Sequence, residues 1–129
     1  MKPGEIVPAR ALLLERLYSR SRADLMSRSG LHPAIAFVEM VQQERARQDE
    51  KWGEANYAIS LDVACTVLAE EFGEFAQAVN DLRLGVAKDD TQVVVELVQT
   101  AAVAQSIYEQ VVCRLRQESR DGKCRSSDG

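Results

Sequence analysis

Apolar residues recur every three or four positions along most of this chain, the period of an α-helix that lays one side on a core. Strand-like alternation is absent, and Pro and Gly fall mostly near the ends of the periodic stretches. The pattern predicts four helices. The first runs from about Pro8 to about Ser27, with Leu12, Leu13, Leu17 and Leu25 on its apolar side. Arg10, Arg16, Arg20, Arg22 and Arg28 make it basic, and Ser29-Gly30 ends it. Five arginines without interleaved aromatics fit a solvated peripheral helix, or an arm on a neighbouring subunit, better than a nucleic-acid arm.

The second helix begins near Pro33, with His32 before it, since proline suits the first helical position. Ile35, Val38, Met40 and Val41 form its apolar side; it then turns polar and stops at Trp52-Gly53, before a polar loop. Ser60 is a natural N-cap for the third helix. There Leu61, Cys65, Leu68, Phe72, Phe75, Val79 and Leu82 follow the 4-3 spacing of a heptad seam. Gly85 ends this helix, and the short loop after it predicts an antiparallel return. Asp89 with Gln92 makes a capping-box-like start for the fourth helix. Val94, Leu97, Val98, Ala101, Ala104, Tyr108, Val111 and Leu115 line its apolar side. The expected class is an all-α bundle of about four helices. Residues 1–30 form a basic helical extension, 31–117 the helical domain, and 118–129 a polar, disordered tail.

The chain has 129 residues, 46% of them hydrophobic, the size of one domain with a real core. A net charge of −4 gives no reason to expect nucleic-acid binding. No apolar run approaches a membrane span, and the first residues lack the long apolar stretch of a secretory signal. Cys65 and Cys113 lie in apolar helical contexts and read as small core residues, and there is no CxxC pair. The expected setting is therefore a reducing cytoplasm. The single histidine, His32, excludes any metal site that takes two histidines from one chain. The third and fourth helices each carry a broad apolar face, which predicts burial across a symmetric interface between copies.

The chemistry lies in acids set among aliphatic residues: Glu70, Glu71 and Glu74 in the third helix, Glu96 in the fourth. Glu71 and Glu74 are three residues apart, which places both on one helix face, and Glu96 and Gln99 share that spacing. Antiparallel packing lets the four oxygen-bearing groups converge. Taken singly, each acid fits a solvated surface position. Paired on adjacent helices, they repel one another unless a cation intervenes. Oxygen donors without His or Cys select Mg²⁺ or Mn²⁺ over zinc. Mg²⁺ commonly bridges to substrate phosphates, so the pattern points to phosphate chemistry with an activated water.

Glu70-Glu71-Phe-Gly-Glu74 resembles the EExxE motif of the MazG-like, all-α nucleoside triphosphate pyrophosphohydrolases, and Glu96-Leu-Val-Gln99 stands where that family has ExxD. The segment Arg47-Gln-Asp-Glu-Lys-Trp52-Gly is also similar to the stretch before the first motif in small members. The likeness covers roughly residues 34 to 112. It implies a helical bundle assembled as a dimer or a dimer of dimers. The implied activity is Mg²⁺-dependent cleavage of a (d)NTP into a nucleoside monophosphate and pyrophosphate, in many members to remove non-standard nucleotides. It implies that Glu71, Glu74 and Glu96 ligate the ion, with Gln99 in the place of an Asp and one negative charge fewer. Glu70 or Glu74 would orient the attacking water. Trp52 can stack on a base, Lys51, Arg83 and Lys88 can meet triphosphate oxygens, and Asn80 can approach a ribose or phosphate. Gly73, inside the motif, predicts close helix packing or room for substrate. Gln99 and the basic first helix favour the alternative, a non-catalytic oligomer that binds nucleotide or a protein partner.

Overall fold

The computed structural model describes residues 22–53 and 59–120, and among them every regular element is helical. Residues 22–27 form the helical segment α1. Three long helices follow: α2 (Pro33–Trp52), α3 (Leu61–Arg83) and α4 (Thr91–Arg120). None of the described helices is long and apolar enough to cross a membrane. Arg10, Arg16 and Arg20, the leucines of the expected first helix before Leu25, residues 54–58 of the polar loop and residues 121–129 of the tail lie outside the described residues.

Local chemistry sets the helix ends. The His32 ring accepts a hydrogen bond at Nδ1 from Ala34 N, and Pro33 takes the first position of α2. Ser60 Oγ accepts from Val63 N at the start of α3. At the end of α3, Gly85 has a φ of 76°, a left-handed conformation that only glycine adopts readily. Gly85 N then donates to Leu82 O and Val86 N to Asp81 O, the paired bonds of a Schellman cap. Asp89 accepts from Thr91 N before α4. Gln92 departs from the expected capping box: it donates to Glu96 at 2.7 Å instead of reaching back to the loop. The fourth helix also runs through Arg120, so residues 118–120 are helical and not part of a disordered tail.

The 30-residue α4, about 45 Å long at 1.5 Å per residue, is the axis of the molecule, packed against both α2 and α3. Gln42 meets Gln105 and Arg45 meets Glu109, so α2 runs parallel to α4. Arg114 donates to Ile59 O while Thr100 reaches Glu71 O, so α3 returns antiparallel, as the short loop predicts. The core is small. Met40, Val41, Val98 and Ala102 are buried, with Leu25, Val94 and Ala101 packed on them. Arg45 is buried beside this core and clasps α2 to α4 through Asp49 and Glu109.

Several expected inward positions face outward. Ile35 and Val38 of α2 are exposed, as are Leu61, Cys65 and Phe72 of the heptad seam and Leu97, Ala104, Tyr108 and Leu115 of α4. The fully buried positions of α3 are instead the small residues Ala64 and Ala78, while Leu68, Phe75, Val79 and Leu82 of the seam are half-buried beside Glu71. Cys65 is thus a free, exposed thiol and not a core residue. Cys113 is half-buried and disulfide-bonded, a state that a reading of reduced core thiols does not include. Nor are all the arginines of the first helix solvated. Arg28 is buried against Asp24 and Glu39, and Arg22 ties α1 to Asp89 and Thr91 at the start of α4.

A Cβ built on Gly73 meets nothing within 4 Å, so within one chain close packing does not explain this glycine. Gly73→Ala should therefore stabilise the fold by about 1 kcal/mol through helix propensity, while Gly85→Ala should destabilise it by about 1 kcal/mol through its positive φ. Urea unfolding of both variants checks this, and shifts of the same sign would contradict the assignment of the two glycines.

Candidate metal centre

The packing of α3 on α4 brings three acids together. One carboxylate oxygen from each of Glu71, Glu74 and Glu96 lies within 4.8 Å of the others. Glu71 and Glu74 stand one turn apart on α3, and Glu96 faces them from α4. Thr100, one turn after Glu96, donates to Glu96 O at 2.7 Å and lies 3.4 Å from Glu71 O, which keeps the two helices in register at this level. Glu96 is only 8% exposed. Its Oε1 accepts from Gln92, but its Oε2 is buried without a partner, and so is Glu71 Oε2. Buried polar atoms are nearly always satisfied, so two orphaned carboxylate oxygens at one point mark a place built for something with positive charge.

The electrostatics agree. Burial, and then the charges of Glu74, Glu96, Glu44 and Glu70, push the Glu71 carboxyl from 4.5 up to about 7. Glu96 is also raised, first by burial; the Gln92 hydrogen bond opposes that, and Glu74 adds to it by charge and as a hydrogen-bond partner. The donor set fits a hard divalent cation. Three carboxylates without a histidine or thiolate suit Mg²⁺ or Mn²⁺.

A cleft of about 460 Å³ opens between α2 and α3, floored by α4. Glu70, Glu71 and Gln99 line its acidic wall and Lys51 its opposite wall. Glu74 and Glu96 complete the carboxylate cluster without lining the cleft, so Glu71 is the member that joins the two. Asn80, Arg83 and Lys88 are exposed and do not line it; they lie toward the other end of α3. Trp52 ends α2.

Two cleft residues carry roles that spacing alone does not reveal. Glu44, on α2, bears electrostatically on both Glu71 and Glu96. Its carboxylate is held by Arg47, whose Nε donates to Oε1 at 2.8 Å while Nη2 donates to Oε2, and by Gln48 Nε2 at 3.2 Å. The Glu44 hydrogen bond, opposed by partial burial, raises the Arg47 guanidinium further, and the Glu71 charge adds to it. The cleft thus sets a cation-bearing wall on α2 against an acidic wall on α3 and α4. A signal for both residues exists in the sequence. Met40, Val41, Glu44, Arg45 and Gln48 continue one helix face, and a face that changes from apolar to polar without changing direction borders a cavity.

The raised Glu71 sets the direction of the pH response. Between its ordinary value of 4.5 and about 7, the folded state holds more protons than the unfolded chain, so stability falls as pH rises through that window. Without divalent cation the melting temperature should therefore be lower at pH 8 than at pH 5. Mn²⁺ should raise it more at pH 8, where the carboxylates are ionised. Glu71→Gln should raise the cation-free melting temperature at pH 8 and remove the Mn²⁺ response. A Mn²⁺ response unchanged in this variant would contradict the site.

Comparison with models of known protein families, with curated proteins and with solved structures finds no match.

Proposed function

We propose that this chain is a Mg²⁺-dependent nucleoside triphosphate pyrophosphohydrolase, which cleaves a (d)NTP to a monophosphate and pyrophosphate and clears non-standard nucleotides. The observation that carries this reading is the cluster of Glu71, Glu74 and Glu96 with two orphaned, buried carboxylate oxygens, set against a wall that carries Arg47 and Lys51. Glu71, Glu74 and Glu96 hold the ion, and Gln99 offers a neutral oxygen beside them. A bound Mg²⁺ supplies positive charge against the phosphate oxygens and lowers the pKa of water. Arg47 and Lys51 hold the polyphosphate on the opposite wall, where a guanidinium suits paired phosphate oxygens. Glu70, exposed on the cleft edge, or Glu74 orients the water. A bond forms from water oxygen to the α-phosphorus as the water's proton passes to the carboxylate that orients it, the bond from that phosphorus to the bridging oxygen breaks, and pyrophosphate leaves with the electron pair.

Self-association belongs to the same reading. Leu97, Tyr108 and Leu115 are 44%, 67% and 57% exposed, and Phe72 on α3 is 61% exposed. Tyr108 is nine residues from Gln99, about two and a half helical turns, so this stripe lies on the side of α4 away from the cleft. No large side chain is fully enclosed among the described residues. Contiguous apolar surface of this kind marks an interface, and a homodimer or homotetramer covers it while leaving the cleft open.

Gln99 favours a second reading, a nucleotide-binding module without turnover, because an amide brings no charge to the ion and cannot serve as a base. Product analysis over a panel of standard and modified (d)NTPs with Mg²⁺ separates the two. The proposal expects pyrophosphate plus monophosphate, and a loss of turnover by about 10² or more in Glu71→Gln, Glu74→Gln and Glu96→Gln with helical content retained, comparable to removing one electrostatic stabiliser of the reacting groups. Nucleotide binding without product in either Mg²⁺ or Mn²⁺ supports the module, and full activity in the three variants excludes the proposed site. Light scattering at micromolar concentration should show a dimer or larger, and a monomer would contradict the proposed assembly.

A further inference from the structure

The cleft has a second end. From Gln99 to Gln110, both on its floor, is eleven residues of α4, about 16 Å at 1.5 Å per residue, the length of an extended mononucleotide. The acidic cluster occupies the Gln99 end. At the other end the lining is Ile59, Ala64, Val67 and Ile107, joined by Gln48 and Lys51 of α2, which the pairing of Arg45 with Glu109 sets at this level; no acid is among them. Two polar side chains of α4 interrupt this lining. Ser106 is 7% exposed and Gln110 is 5% exposed. The other buried polar side chains of α4, Thr91 and Glu96, bond at the helix start or belong to the carboxylate cluster, whereas Ser106 and Gln110 lie on the cleft floor away from both.

These groups are also under-used. Among the described residues, the one side-chain hydrogen bond of Gln110 runs from Nε2 to Ser106 Oγ at 3.4 Å, longer than the usual 2.7–3.2 Å. A Gln amide offers two N–H donors and a carbonyl acceptor. With one donor turned toward Ser106, it still presents an acceptor and a donor side by side. That pair matches the edge of a nucleobase, where a donor and an acceptor also stand next to each other. Apolar walls with a few converging polar groups are the usual make-up of a small-molecule subsite.

We propose that the Ile59–Ile107 end of the cleft is the base subsite, and that Gln110, positioned by Ser106, reads the hydrogen-bonding edge of the base. The inference rests on the proposed nucleotide reading of the metal end. It assigns specificity to two residues of α4 and places base and ion at opposite ends of one cleft, so the triphosphate spans the middle, past Glu44 and Arg47.

Calorimetry with Mn²⁺ tests this on the full chain. The probes are inorganic tripolyphosphate and the α,β-imido analogues of the four standard nucleotides, which resist cleavage at the α-phosphorus. The subsite predicts that at least one nucleotide analogue binds about tenfold or more tighter than tripolyphosphate, the return from one or two hydrogen bonds together with apolar contact. Gln110→Leu and Ser106→Ala should lower nucleotide affinity toward that of tripolyphosphate and leave tripolyphosphate binding unchanged, which also shows that the variants fold. Gln110→Glu, which replaces the donor by an acceptor, should reorder the four bases. Equal affinity for tripolyphosphate and every nucleotide, or variants that weaken both probes alike, would overturn the base subsite while leaving the metal and phosphate reading intact. Failure of every probe to bind in Mn²⁺ would overturn both.

Discussion

Three carboxylates meeting on the contact between α3 and α4 impose a repulsion that the Arg47 charge offsets only in part, since the Glu71 carboxyl is still pushed up. Burial raises Glu71 and Glu96, and their mutual charges raise them further. The surrounding structure accommodates that repulsion. Thr100 fixes the register of the two helices, Gln92 holds one oxygen of Glu96, and Glu44 faces the cluster with its own carboxylate tied to Arg47 and Gln48. An arrangement that keeps like charges together, when substitution by a neutral amide would relieve them, supports the proposed cation site. The cleft then follows, because α2 must stand away from α3 to leave that face open.

The same openness explains the small core. α4 packs against both other long helices, but α2 and α3 are separated over the cleft, so one chain buries only a short apolar layer around Met40, Val41, Val98 and Ala102. Polar clasps take over part of the helix pairing: Arg45, steadied by Asp49 on its own helix, pairs with Glu109 between α2 and α4, and Arg22 with Asp89 at the start of α4. The apolar residues left outside, Phe72 and Tyr108 among them, lie where they do not compete with the cleft for contact. Core economy and site access are thus two consequences of one helix arrangement.

Much of this was legible in the sequence. The ends of α2 and α3 follow from His32-Pro33, Gly53, Ser60 and Gly85, because capping is local chemistry carried by single residues. The acids of α3 and α4 were legible because a spacing of three on a helix fixes a shared face. Heptad counting misplaced the inward side of α3. It finds apolar periodicity but cannot tell which of two apolar stripes meets the neighbouring helix, and here Ala64 and Ala78, small enough for close approach, win over Leu61, Cys65 and Phe72. Arg45 escaped for a different reason: its role depends on pairing with Glu109 across α2 and α4, at a separation of more than sixty residues, and no local pattern states that register. Glu44 and Arg47 pair locally within α2, but which acids of α3 and α4 they face depends on the same register. Asn80, Arg83 and Lys88 share the helix or loop near the motif and do not line the cleft within one chain.

The central claim, that Glu71, Glu74 and Glu96 together hold a divalent cation, is tested most directly by electron paramagnetic resonance of Mn²⁺ titrated into the protein at pH 8, with Glu96→Gln as the comparison. The account predicts saturable, stoichiometric uptake by the native chain and loss of that uptake in the variant, whose fold is checked by its helical signal. No uptake by the native chain, or equal uptake by a folded Glu96→Gln, would contradict it.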